Sequence, residues 1–293
     1  MTEHAERIAL STGITLNVVT AGDPAAPAIL FLHGFPESHR TWRHQMAEFA
    51  RDHFVVAPDQ RGYADSDKPQ DVEAYTPDKP VADALALMDH FGKDRFILAG
   101  HDWGGAVAWM AALLNPDRVE RLIICNAPHP YIFQKTLIDD PVQRNASQYF
   151  RAFRDPAIER HIESIGMDQF FDTSFAPYVD PAKVAEEKPV YLAQWTKPGA
   201  MTPMFNWYRA SSIVVPALDE TPERPAFLDA PFPRMQMPTL VIWGMRDTAL
   251  TPVQLEGLDC FVPALTVCKV DAGHFVTWEA PEIVNGAIRE WLD

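Results

Sequence analysis

Apolar residues in this chain follow two patterns. In ITLNVVTAG (14–22) they alternate, with Ile14, Leu16 and Val18 on one side, the period-two signature of a half-covered strand. In AILFL (28–32), FVVA (54–57), FILAG (96–100) and RLIIC (121–125) they run unbroken, as in strands covered on both faces. Between these runs the spacing turns helical. After Thr76-Pro77, positions Val81, Leu85, Met88 and Phe91 recur at helical intervals and Gly92 closes the stretch. A second helix runs from Gly104 to Leu114 and stops at Asn115-Pro116. Strands alternating with helices predict a mostly parallel central sheet flanked by helices on both faces.

The rhythm breaks near NAPHPYIF (126–133). From there to about Ala230 no strand pattern is visible, only helical patches rich in aromatics and separated by prolines. It resumes at MPTLVIWGMRD (237–247) and LTVCKVDAGH (265–274) and ends in an amphipathic helix with Ile283, Ala287 and Trp291 on one side. The expected organisation is a core domain of residues 1–128 and 231–293 with a helical cap, 129–230, inserted between strands. Ligands of open parallel sheets bind at the carboxyl ends of the strands, where such an insertion lies like a lid.

Composition narrows the partners. The 293 residues are 47% hydrophobic and carry a net charge of −15, which argues against nucleic acid and anionic membranes as partners. Cys125, Cys260 and Cys268 form no C-x-x-C pair and read as reduced core residues of a cytoplasmic protein, with no metal site. The N-terminal MTEHAERIAL lacks a basic region leading into an apolar one, and no apolar run is long enough to span a bilayer. The sequence is compatible with a monomer or a homodimer.

Three polar groups sit just past three apolar runs: Asp102 in GHDWG (100–104), Asp247 after TLVIWG and His274 after LTVCKVDAG. Each has an ordinary reading alone: a helix N-cap, a turn carboxylate and a buried core histidine. Together, in the order Asp, Asp, His, they fit G-x-nucleophile-x-G followed by an acid and a histidine, the chain order of α/β-hydrolases. Small residues let the turn at Asp102 be sharp, and the free N–H groups of the helix that starts there favour negative charge. The backbone N–H groups of Phe35, in HGFPES (33–38), and of Trp103 are candidates for an oxyanion hole.

HGFPES, DQRGYADSDKP (59–69) and GHDWGG, with the later Asp247 and His274 positions, resemble the α/β-hydrolase-fold epoxide hydrolases. These motifs are shared in part with haloalkane and haloacid dehalogenases. The resemblance implies that Asp102 is a nucleophile, His274 a general base and Asp247 its orienter. It implies two cap tyrosines that hold the epoxide oxygen: Tyr208 in NWYR, and Tyr149 in NASQYFRAF, with Tyr131, Tyr178 and Tyr191 as rivals. His33, Pro36 and Trp207 are the implied substrate-binding residues. The implied partners are a small apolar epoxide and water, with no cofactor.

The residue types suit that chemistry. Attack by a carboxylate on an ester gives an anhydride, whereas displacement at a saturated carbon gives an ordinary ester that water can cleave. An epoxide oxygen leaves as a tethered alkoxide that needs protons, and neutral phenols supply them. A halide needs nitrogen donors; Phe35 has none in its side chain. Haloacid enzymes of this fold hold their substrate with arginines beside the nucleophile, where this chain has Trp103, Gly104, Gly105 and Ala106. A dehalogenase remains the alternative, and a non-catalytic receptor of the same fold a further one.

Overall fold

The computed structural model describes residues 3–293. Its centre is a single eight-stranded sheet formed by β1 (His4–Ala9), β2 (Thr15–Ala21), β3 (Ala28–Leu32), β4 (Phe54–Pro58), β5 (Phe96–His101), β6 (Val119–Cys125), β7 (Thr239–Gly244) and β8 (Leu265–Val270), in the order β1-β2-β4-β3-β5-β6-β7-β8. The β1–β2 and β2–β4 pairs are antiparallel and all others parallel.

The unbroken apolar runs are explained by packing on both sides. Ala28, Leu30 and Leu32 point into one hydrophobic layer with Val56, Leu98 and Ile124. Ile29 and Phe31 point into the other, with Val55, Ile97 and Ile123. Helix α1 (Arg43–Phe49) covers the second layer through Met46 and Phe49; α2 (Asp78–His90) and α3 (Trp103–Leu114) cover the first through Leu87, Met88, Val107 and Trp109.

Between β6 and β7 the chain leaves the sheet and forms α4 (Pro130–Asp139), α5 (Pro141–Ala146), α6 (Tyr149–Arg154), α7 (Ile158–Ile165), α8 (Met167–Phe170), α9 (Pro181–Trp195) and α10 (Met201–Arg209). Local sequence sets several starts. Proline occupies the first turn of α4, α5 and α9, where its missing N–H costs nothing. The Asp140 carboxylate accepts from Val142 and Gln143 N–H, and that of Asp180 from Ala182 N–H. This segment is fixed to the core through buried polar contacts. Glu187 pairs with Arg40 (3.1 Å) and Arg43 (2.6 Å), the Trp195 indole donates to the Pro36 carbonyl (2.8 Å), and the Trp207 indole donates to the Arg61 carbonyl (3.1 Å). After β8 come α11 (Val276–Glu279) and α12 (Pro281–Leu292).

The structure revises two expectations and adds one strand. In α12 the fully buried stripe is Pro281, Val284 and Ile288; of the expected face, Ala287 and Trp291 pack half-buried against the core and only Ile283, 53% exposed, does not. Cys125 lies in the core, but Cys260 is exposed in a short turn (Leu258–Cys260) and Cys268 is half-buried on the edge strand β8. The strand β1 has no apolar alternation because, at the sheet edge, only Ile8 of HAERIA is buried. Among the described residues no helix is long and apolar enough to cross a membrane.

Candidate active site

The sheet order reverses at β3: the chain proceeds to β4 on one side and to β5 on the other. The loops after β3 and β5 therefore flank a crevice at the carboxyl ends of the strands, the usual ligand position in such sheets. Asp102 stands there, between the end of β5 and the start of α3, with φ +50° and ψ −121°. A non-glycine residue holds such a backbone only where its surroundings enforce it, at a cost of about 1–3 kcal/mol. Here the enforcement is close packing of α3 on the sheet: a side chain at Gly104 would collide with the Leu32 and His33 carbonyls. The strained turn lifts the Asp102 side chain off its own helix, which it does not cap. Its Oδ1 instead accepts the Phe35 N–H across the crevice at 2.7 Å.

His274 approaches from the loop after β8. Its Nδ1 is 2.7 Å from Asp247 Oδ2, and its Nε2 is 3.7 Å from Asp102 Oδ2, beyond direct hydrogen-bonding distance. Asp247 is fully engaged: Oδ1 accepts the Ala249 and Leu250 N–H groups at 2.9 Å each, and Oδ2 also accepts the Asn126 amide at 2.7 Å. Asn126, at the end of β6 with φ +40°, accepts the Gly244 N–H at 2.8 Å in turn. Thus two acidic side chains bracket one imidazole. Burial opposes charge on His274, but Asp247, by its charge and hydrogen bond, and Asp102 outweigh it and push the imidazole up to about 9. Burial also raises the Asp102 carboxyl above its usual range, against the pull of His274, His101 and the Phe35 and Trp103 N–H groups.

Behind these residues lies a second buried network. His101 Nε2 donates to the His274 carbonyl oxygen at 2.9 Å, and its Nδ1 is 3.0 Å from Glu37 Oε2. Oε1 of Glu37 accepts the Thr41 hydroxyl (2.5 Å), the Tyr191 hydroxyl (2.8 Å) and the Trp278 indole (2.9 Å). Burial opposes ionisation of Glu37, yet His101 and these donors keep its carboxyl below the usual range.

Two cavities meet at Asp102. One, of about 320 Å³, is lined by Asp102, His274, Phe35, Pro36, Tyr149 and Tyr208 together with residues of α6–α8. The other, about 210 Å³, is lined by Asp102, Trp103, Tyr149, Phe150, Trp207 and Phe133 among others. The Tyr149 and Tyr208 rings are 6.0 Å apart, and Tyr208 stands edge-on to both Phe35 and Trp103 at 5.1 Å. Burial pushes both phenols well above the ordinary 10.0, helped at Tyr149 by the charges of Asp102 and Asp247 and by Tyr178, and at Tyr208 by Tyr149 and then Asp102. Of the rival tyrosines, Tyr131 donates to the Leu228 carbonyl and Tyr191 to Glu37; Tyr178 lines the larger cavity.

His33 lies elsewhere than expected. It is fully buried, with Nδ1 donating to the Gly34 carbonyl (2.9 Å) and Nε2 accepting the Gln60 N–H (2.9 Å). Both ring nitrogens are spent bracing the loop, and the residue lines neither cavity. Sequence reasoning assigned no role to Asn126, His101 or Glu37. The last two stand inside GHDWGG and HGFPES, so their motifs were visible but their partners were not.

The model of the α/β-hydrolase fold family matches residues 27–281. The chain is 35% identical over 288 residues to the AB hydrolase superfamily protein YfhM of Bacillus subtilis, covering 96% of each. It is 31% identical over 321 residues to epoxide hydrolase A of Mycobacterium tuberculosis, covering 98% of this chain and 97% of that one. Among solved structures, one described among novel epoxide hydrolases from metagenomes of hot environments aligns with a TM-score of 0.93 and 49% identity, over 100% of this chain and 99% of that one. The Bacillus megaterium epoxide hydrolase in complex with an inhibitor aligns with a TM-score of 0.84 and 28% identity, over 98% and 99%.

Proposed function

This chain belongs to the α/β-hydrolase-fold family, among its epoxide hydrolases, and from that premise we propose that it opens an apolar epoxide to a vicinal diol through an ester on Asp102. The observation that carries the reading is the convergence of an uncapped carboxylate, an imidazole and two phenols on one cavity. The helices between β6 and β7 act as its cap.

Asp102 Oδ1 is held by the Phe35 N–H, so Oδ2 is the attacking atom. It bonds to one ring carbon as the C–O bond breaks, and Tyr149 or Tyr208 gives its proton to the departing alkoxide. In the ester, Oδ1 is the carbonyl oxygen, already held by the Phe35 N–H, with the Trp103 N–H as the second donor of the oxyanion hole. His274, held by Asp247, takes a proton from water, and the hydroxide adds to the Asp102 carboxyl carbon. Negative charge grows on Oδ1, where removing one such donor costs about 3 kcal/mol. Collapse expels the second alkoxide, which takes the proton from His274. The remaining proton, on the new carboxyl group, returns to the phenolate. Pro36 and Trp207 bound the two cavities at the site. No cofactor enters any step.

The dehalogenase alternative lacks support in the donor set: phenols face Asp102 in the larger cavity, Phe35 adds none, and the Trp103 ring packs edge-on to Tyr208. The test is a panel of aryl and alkyl epoxides assayed for diol, beside chloro- and bromoalkanes assayed for halide. Diol without halide, abolished in Asp102→Ala and slowed in Tyr208→Phe, is expected. Halide release, or full activity in Asp102→Ala, contradicts the proposal.

A further inference from the structure

The backbone around His274 is held from two directions. Its carbonyl receives the His101 imidazole. The N–H groups on either side, of Gly273 and Phe275, both donate to the Glu279 carboxylate, at 3.2 Å to Oε2 and 2.9 Å to Oε1. Glu279 ends α11, and its own N–H closes back on the Phe275 carbonyl at 3.0 Å. The loop is drawn so tightly around this carboxylate that a side chain at Gly273 would stand 2.9 Å and 3.0 Å from its two oxygens. Glu279 Oε2 takes a third donor, the Asp180 N–H at 3.2 Å. Asp180 lies at the start of α9, two residues past Tyr178, which lines the larger cavity with His274. One carboxylate therefore ties the imidazole-bearing loop to the helical segment over the site.

We propose that Glu279 is a positioning residue for the ester-hydrolysis step: it sets the loop that aims His274 at the Asp102 ester and couples it to the cap. This rests on His274 acting as the base in the function proposed above. Glu279 itself touches neither nucleophile nor substrate cavity, so its removal leaves ring opening intact. Loss of its three contacts shifts the imidazole, and displacements of about 1 Å at a reacting group cost about a hundredfold in rate. When hydrolysis alone slows, kcat and KM fall together, kcat/KM stays near the parent value, and ester accumulates.

The experiment compares Glu279→Ala and Glu279→Gln with His274→Gln, using styrene oxide as probe. It records kcat, KM, thermal unfolding, and intact mass after rapid quenching. Expected is a roughly tenfold to hundredfold lower kcat for Glu279→Ala, KM lowered with it, and an adduct on the peptide containing Asp102. Glu279→Gln, which keeps the size and one acceptor oxygen, shows the same pattern to a smaller degree and decides the matter if the alanine variant does not fold. A lower kcat with unchanged KM and no adduct in either Glu279 variant, while His274→Gln traps the ester, overturns the positioning role alone. Absence of adduct in all three removes the ester mechanism and this role with it.

Discussion

At the scale of single residues, function was legible where chemistry demands a rare choice. A carboxylate just past a strand, with glycines two positions to either side, is a strange place for charge unless it reacts; the structure gives Asp102 a strained backbone and no capping contact to its own helix. The supporting residues were not legible, because their meaning comes from distant partners: Asp247 is 121 positions from Asn126, and His101 is 64 from Glu37 and 173 from His274. His33 shows the converse: a motif histidine next to the site that serves only the backbone. The charge balance gives a pH dependence with a definite sign. His274 is raised to about 9 partly by the Asp102 charge, and that charge disappears when the ester forms. The base is active when neutral, so kcat rises with pH and levels off below 9. The phenols, raised above 10.0, impose no falling limb in that range. A kcat–pH profile checks this; a rate falling between pH 6.5 and 9 contradicts it.

At the scale of elements, strands covered on both sides announce themselves, since every residue of β3, β4 and β5 is buried. The edge strand β1 did not, because water takes one face and polar residues the rest. In α12, Ile283, Val284, Ala287 and Ile288 offer two adjacent apolar stripes; the core buries Val284 and Ile288 fully, takes Ala287 in part and leaves Ile283 to water. Helices α6–α8 were legible as helical and aromatic but not in their limits. Besides Glu187, Trp195 and Trp207, the inserted helices are tied to the core by Glu37, whose carboxylate joins Tyr191 of α9 to Thr41, Trp278 and His101. Glu37→Ala leaves four buried donors without their acceptor, and the expected loss of stability is about 3–5 kcal/mol. Its folded carboxyl lies below its ordinary 4.5. Its contribution is therefore present above pH 4.5 and lost as pH falls through the lower folded value. Denaturant melts of parent and variant across that range check this: the gap between them narrows on acidification. A gap independent of pH contradicts it.

At the scale of the whole molecule, a two-faced sheet gathers the loops after β3, β5, β7 and β8 at the carboxyl ends of its strands, and helices inserted between β6 and β7 line the cavities there with phenols and aromatic rings. The central claim is that Asp102, and not water, makes the first bond to the substrate. A single turnover with enzyme in excess, in water enriched in the heavy oxygen isotope, tests it most directly. The account predicts that the first diol formed carries no label and that the peptide containing Asp102 gains one labelled oxygen, because water attacks the ester at its carbonyl carbon. Label in the diol, with none in that peptide, would contradict it.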